Sequence, residues 1–236
     1  MKRTAFLLCA AALAFAPAAA MAQWSDGFES YASGTLLDNV GGWAGWGNSP
    51  AAAGTATNAQ AHSGENSIII TGGADAVHPF AGEFTSGQVS LTAWMLLFRN
   101  DHTTDTFFIV MNEYTHAGNW TWTIEMQFDT ATGNVLDDFR PETNVIPIAY
   151  DRWAEIRIDF DLDADTQTTF YDGIELSTGT LTRSAGDPLE IANIDLFTLG
   201  ATSYYDDLSI VPEPATMIAL GAGLVLLIRR RRRKTA

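Results

Sequence analysis

The run Asn119-Trp120-Thr121-Trp122-Thr123-Ile124-Glu125-Met126-Gln127-Phe128-Asp129 decides the fold class. Trp120, Trp122, Ile124, Met126 and Phe128 recur at every second position, with Thr121, Thr123, Glu125, Gln127 and Asp129 between them. Successive side chains of a strand point to opposite faces, so this period describes a strand with one apolar and one wet side. On that reading Trp120 and Trp122 belong to the core beside Ile124, Met126 and Phe128.

The flanking sequence repeats the pattern. Trp153 to Asp161 alternates, with Ala154, Ile156, Ile158 and Phe160 inward and Glu155, Arg157 and Asp159 outward. Phe107 to Met111 is continuously apolar, as a strand covered on both sides would be. Val89 to Phe98 sets Leu91, Ala93, Met95 and Leu97 against Trp94, Leu96 and Phe98. Turn chemistry separates the runs: Asp172-Gly173 before Ile174 to Leu176, Thr132-Gly133-Asn134, and Ser184-Ala185-Gly186-Asp187-Pro188. No segment of the body keeps a helical period, so the expectation is all-β, a β-sandwich or jelly roll.

Of the 236 residues, 47% are hydrophobic and 17% charged, enough for one domain with a real core. The formal charge of −15 is unevenly spread. With Lys2 and Arg3, the six terminal cations and Glu213 set aside, 5 arginines face 27 acids in the body, a net −22. Such a surface excludes a nucleic-acid partner, whose phosphates need clustered Lys and Arg. The one cysteine, Cys9, sits near the start of the chain. The rest therefore has neither disulfides nor thiol chemistry.

The two ends read as processing signals. Met1-Lys2-Arg3 is a basic n-region, Ala5 to Ala16 an apolar h-region, and Ala20-Met21-Ala22 an A-x-A site. A signal peptidase that reads Ala20 and Ala22 would remove residues 1–22 and leave Gln23 first. The other reading of this segment is an N-terminal membrane anchor. Residues 23–210 form the expected β-sandwich domain. After it come Val211-Pro212-Glu213-Pro214, an uncharged run from Ala215 to Ile228, and the block Arg229, Arg230, Arg231, Arg232, Arg233 and Lys234. As a helix, 215–228 would reach about 21 Å against a hydrocarbon core of about 30 Å. That makes a short transmembrane helix, with the basic tail 229–236 held cytoplasmic and the body outside.

This order of motif, short apolar segment and arginine block resembles the PEP-CTERM sorting signal of Gram-negative bacteria. The resemblance implies an exosortase as partner, reading Pro212, Glu213 and Pro214. It also implies export across the inner membrane, transient anchoring there, and association with exopolysaccharide and biofilm. In the body, Phe28-Glu29-Ser30-Tyr31, Gly42-Trp43-Ala44-Gly45-Trp46 and His62-Ser63-Gly64-Glu65-Asn66-Ser67 resemble the opening of concanavalin A-like lectin/glucanase domains. Trp153, the Tyr171-Asp172-Gly173 turn and Tyr204-Tyr205-Asp206-Asp207-Leu208-Ser209-Ile210 continue the likeness.

A sugar site needs aromatic faces beside polar groups. Trp43 and Trp46, in the glycine-rich stretch Gly41 to Gly47, and Trp153, on a face with Glu155 and Arg157, are the candidate carbohydrate contacts. Asp206 has the parity of Leu208 and Ile210, which aims its carboxylate inward, where it needs a cation or several donors. Glu29 with Asp206 or Asp207 resembles the structural Ca²⁺ site of carbohydrate-binding jelly rolls; an Arg partner or a solvated pair beside a bulge is the alternative. Asp161-x-Asp163-x-Asp165 lacks the Gly and Glu of an EF-hand and reads as an acidic hairpin. No Glu-x-Asp-x-x-Glu strand or other catalytic motif is present, so no enzyme is expected. The sequence thus points to a surface protein that contacts extracellular polysaccharide. The rival readings are a structural or adhesive protein without a sugar site and a glycan hydrolase.

Overall fold

A computed structural model describes residues 23–99, 104–140 and 144–212. The leader with Cys9, Ala20 and Ala22 lies outside the described residues. So do Glu213, Pro214, the apolar run 215–228 and the block Arg229, Arg230, Arg231, Arg232, Arg233 and Lys234.

Two antiparallel sheets account for the body. The first runs β13 (Ile174–Gly179), β12 (Thr166–Tyr171), β11 (Trp153–Asp161), β6 (Gln88–Leu97), β15 (Ser203–Pro212), β4 (Ser67–Ile70) and β3 (Thr55–Thr57). β1 (Trp24–Asp26) also pairs with β15. The second runs β10 (Ile146–Pro147), β9 (Asn134–Asp137), β8 (Trp120–Asp129), β7 (Thr106–Tyr114), β14 (Ile191–Thr198), β5 (Asp75–Phe84) and β2 (Ala44–Gly45). The chain crosses repeatedly from one sheet to the other, for example between β4 and β5, β5 and β6, β6 and β7, and β14 and β15, so sequence neighbours close a β-sandwich. Two 3-10 turns, Trp46–Asn48 and Pro50–Ala52, are the only helical elements among the described residues. No helix among those residues is long and apolar enough to cross a membrane.

Period-2 alternation builds the core. On β11, Ala154, Ile156, Ile158 and Phe160 are buried, while Trp153, Glu155, Arg157 and Asp159 remain partly exposed. They join Leu91, Ala93 and Met95 of β6 in one apolar cluster with Phe108, Val110, Ile124, Met126, Phe128, Ile194 and Leu196 of the second sheet. Each fully buried side chain of this kind contributes about 1.5–3 kcal/mol. Asp172 and Gly173 join β12 to β13 with φ of 51° and 76°, the left-handed pair of a type I′ hairpin.

Two irregularities shape the surfaces. On β15 the register with β6 shifts between Asp206 and Ser209, and Asp207 takes φ 47°. Before this bulge the strand pairs with β4, and after it with β1. On β8, Ile124 pairs with Val110, but the next match is Trp122 with Met111, which leaves Thr123 as an inserted residue. Asn112 is the matching insertion on β7, before Glu113 pairs with Thr121. A bulge re-aims the side chains beyond it. Trp120 and Trp122 therefore leave the core face, contrary to the alternation argument, and Thr123 is buried in their stead.

Trp43 is the second correction. It is fully buried, its Nε1 donates to Asp26 Oδ2 at 2.9 Å, and its ring packs 5.7 Å from that of Phe28. It is a core residue and presents nothing to a ligand. The same Asp26 oxygen accepts from Tyr31 Oη at 2.9 Å. Burial and then this carboxylate push the Tyr31 phenol up to about 12. Replacing Trp43 with Ala is expected to cost about 3–5 kcal/mol, a fall in Tm of about 10 °C or more. Thermal unfolding by circular dichroism measures this; an unchanged Tm would show that the ring is not part of the core.

Candidate functional site

The bulge at Thr123 creates a site on the outer face of the second sheet. Thr123 Oγ1 donates to Leu181 O, and its carbonyl accepts Arg140 Nη1 at 3.0 Å. Arg140 also donates to Asp137 Oδ2 at 3.0 Å and to Thr180 O at 2.7 Å, and Ser177 Oγ donates to Asp137 Oδ2 at 2.6 Å. Asp137 is fully buried, so the ion pair holds the bulge from inside.

Beyond the bulge, Trp122 packs against a small outer cluster of Phe107, Ile109 and Met111 with Trp46, Tyr114 and Phe197. Trp46 reaches it from the first 3-10 turn, beside β2 on the far edge of the sheet. Gly45 permits that tight reversal, since a Cβ there would lie 1.9 Å from Ser49 O. The Trp46 ring lies 6.5 Å from Trp122 at an interplanar angle of 15°, and 5.5 Å from Trp120 at 71°. Trp120 is 43% exposed.

Trp46, Trp120, Trp122, Ile109, Phe197, Asp75, Glu125 and Asp195 line an open cleft of about 360 Å³. Register fixes the acids. Ile109 pairs with Glu125 on one side and with Asp195 on the other, so the two acids stand two strand spacings apart, ~10 Å between Cα atoms. Asp75 follows on β5, where Val77 pairs with Asp195.

Asp195 is 2% exposed. Burial, then the neighbouring Asp75 and Glu125, raises its carboxyl well above the usual range. Burial raises Asp75 as well, and its neighbourhood with Asp195 favours a proton on the pair. Oδ1 of each is buried with no hydrogen-bond partner among the described residues. Glu125 is raised by burial and then by Asp138, against the opposing pull of Arg183. Among the described residues, no cation lines the cleft.

The other sequence candidates lie elsewhere. Trp153 is on the outer face of the first sheet, where His62 stacks on Trp94 at 3.9 Å and meets the Trp153 ring edge-on at 5.7 Å. His62 Nδ1 in turn lies 2.7 Å from Asp207 Oδ2. Asp206 is fully buried as its parity requires, and its donors are backbone N–H groups. His62 N lies at 2.7 Å and Ser63 N at 3.1 Å from Oδ2, and Asp207 N at 2.7 Å from Oδ1. Glu29 Oε1 accepts Glu65 N at 2.9 Å and Asn66 N at 2.8 Å. Glu29, Asp206 and Asp207 thus fasten the loop before β4. Among the described residues, no group of three or more His, Cys, Asp or Glu is placed to hold a metal ion. Of the sequence candidates, only Trp46 enters the cleft. Asp75, Glu125 and Asp195 went unrecognised, though Asp195 stands out as an acid inside the apolar run Ile191 to Phe197.

Residues 211–233 match the PEP-CTERM protein-sorting motif. The match marks a protein sorted by an exosortase to the cell envelope or surface of a Gram-negative bacterium. No curated protein matches the chain. In fold the body is similar to an endo-β-1,4-glucuronan lyase from the fungus Trichoderma reesei, with TM-score 0.54, 8% identity, and coverage of 81% of this chain and 96% of that one. It is also similar to a conserved carbohydrate esterase from the Shiga toxin-encoding bacteriophage phi24B, with TM-score 0.55, 13% identity, and coverage of 82% and 99%. A sialidase shares the fold over 77% of this chain and 18% of its own, at TM-score 0.51 and 9% identity. At these identities the likeness is one of fold, consistent with a concanavalin A-like body.

Because Asp195 is raised in the folded state, folding favours its neutral form. Stability contributed this way is full below the usual carboxylate range and is lost as pH rises toward the raised value. Asp195→Asn keeps the shape, removes the charge and offers Asp75 a donor. It is expected to raise Tm near neutral pH by about 2–4 °C, the shift that about 1 kcal/mol gives a domain of this size. The gain should shrink at acid pH. Thermal scans of both proteins across the acid-to-neutral range check this, and a gain independent of pH would refute the buried-carboxyl account.

Proposed function

We propose that the body binds glycan chains in the cleft formed by Trp46, Trp120 and Trp122 over Asp75, Glu125 and Asp195. The observation that carries this reading is the flip of Trp120 and Trp122 out of the core. It costs the sandwich two large apolar side chains and sets them on a groove across from Trp46. Indole faces cover the C–H faces of pyranose rings, and carboxyl groups take the hydroxyls around the rim. Structures of the same fold that bear the names glucuronan lyase, carbohydrate esterase and sialidase lend the reading further support.

The sorting motif suits such a role, because it delivers the domain to where extracellular polysaccharide lies. In this reading a signal peptidase cuts after Ala22, the run 215–228 holds the chain briefly in the inner membrane, and an exosortase acts at Pro212, Glu213 and Pro214. Association with exopolysaccharide or biofilm follows from that address. A purely structural or adhesive protein would have no use for an aromatic groove with a buried acid at its floor.

Glycan hydrolysis is the second reading, favoured by Glu125 and Asp195 on either side of Ile109. The proton on the carboxyl pair would go to the glycosidic oxygen, and Glu125 would take a proton from the attacking water. Release of reducing ends from a panel of polysaccharides separates this activity from simple binding.

Trp120→Ala and Trp122→Ala are each expected to weaken polysaccharide binding about tenfold or more in pull-down and titration assays. Tm should change little for Trp120, which is exposed. Trp153→Ala should leave binding unchanged. Equal retention of polysaccharide by all three variants would place any sugar site outside the cleft.

A further inference from the structure

We propose that the cleft selects an amine-bearing saccharide, a hexosamine unit whose free ammonium group donates to the buried, unpartnered Oδ1 atoms of Asp75 and Asp195. This rests on the glycan-binding reading and names the ligand class of the same cleft.

Three facts converge on a cation. The first is the imbalance of charge: Asp75, Glu125 and Asp195 line the cleft, and no Arg, Lys or His among the described residues does. Arg183, the cation that acts on Glu125, has its Nη1 on Trp122 O at 3.1 Å and its guanidinium 3.6 Å over the Phe139 ring. The second is the pair of unmet acceptors. Oδ1 of Asp195 and Oδ1 of Asp75 are buried and have no hydrogen-bond partner among the described residues. An ammonium group brings three N–H donors and the compensating charge to one point, whereas a sugar hydroxyl brings a single donor and no charge. The third is the indole wall, since the face of a Trp ring is the most favourable aromatic surface for a cation.

The same features reject other sugars. A uronate or sialate would set a further carboxylate against three acids with no cation to receive it. An N-acetylated hexosamine stacks on the indoles equally well but leaves the carboxyl pair as it was. Besides burial, the groups that act on Asp195 are Asp75 on β5 and Glu125 on β8, and Asp195 in turn acts on Tyr114 on β7 and Tyr205 on β15. Both tyrosines are raised by burial and stay neutral near neutral pH, so the exchange is between the pair's proton and the ligand's ammonium.

The test is titration calorimetry of the folded body at physiological salt and about one pH unit below the ligand amine's own pKa, so that it enters as ammonium, with three short oligosaccharides. These are β-1,4-glucosamine oligomers, the same oligomers N-acetylated, and oligoglucuronates. Glucosamine oligomers are expected to bind about tenfold or more tightly than the N-acetylated ones. They should also release about one proton per site, read by repeating the titration in buffers of different ionisation enthalpy. Asp195→Asn should abolish both the preference and the proton release. If that variant does not fold, Asp75→Asn at the half-buried partner serves. Asp163→Asn, on the β11–β12 turn, should keep the preference, which separates the cleft from general attraction to an acidic surface. Equal binding of glucosamine and N-acetylglucosamine oligomers, or binding without proton release, overturns the inference and leaves glycan binding standing. Tighter binding of oligoglucuronate overturns it as well. If no oligosaccharide binds the folded body, the glycan-binding reading falls with it.

Discussion

Thr123 is the residue on which the outer face of the second sheet turns. One inserted residue shifts the parity of everything N-terminal to it on β8, so two indoles that would have filled the core stand over β7 instead. The insertion survives because its own polar groups are met: the hydroxyl by Leu181 O, the carbonyl by Arg140. Arg140 is in turn fixed by the buried Asp137, which also accepts Ser177. A buried ion pair is seldom a net gain in stability, but loss of one partner from it is expensive. Here its work is positional, since it selects one of two ways that β8 could lie against β7.

Local patterns in the sequence were legible where local physics decides the outcome. β11 matches the alternation from Trp153 to Asp161 residue for residue, and Asp172-Gly173 takes the left-handed pair that its composition favours. The inward aim of Asp206 followed from parity alone. Two of its three donors could not be foreseen, because they are backbone groups of His62 and Ser63, more than a hundred residues away. The fate of Trp120 and Trp122 was hidden for the same reason. Nothing within β8 marks the bulge; its supports come from Arg140 and Leu181, 17 and 58 residues further on. Trp43 and Trp46 show how little composition says about a glycine-rich loop. Three residues apart, one indole is sealed against Asp26 and the other arches over the opposite face of the sheet.

The cleft also departs from what favours folding alone. Two neighbouring carboxyl groups, one almost wholly removed from water, are a standing cost to the native state. An apolar pair at these positions would continue the surrounding cluster of Phe107, Ile109 and Phe197 without that cost. The arrangement leaves two buried carboxyl oxygens without partners in one cleft. The acids of the rest of the body differ in this respect. Asp129, Asp161 and Asp165 are occupied by the N–H and hydroxyl groups of their own turns and neighbours.

β15 has a mechanical meaning that its place in the topology makes plain. It lies inside the first sheet, flanked by β6 and by β4 and β1, and runs on through Val211 and Pro212, which pair with Ser90 and Val89. The sorting motif therefore begins while the chain is still within the sheet. Tension applied beyond Pro212 would travel along β15 and be shared by ladder bonds on both flanks, strained together as a shear. A terminal strand at the edge would unzip one bond at a time. Under the proposed glycan binding, drag on a polymer at the opposite sheet would cross the sandwich and leave by this braced strand.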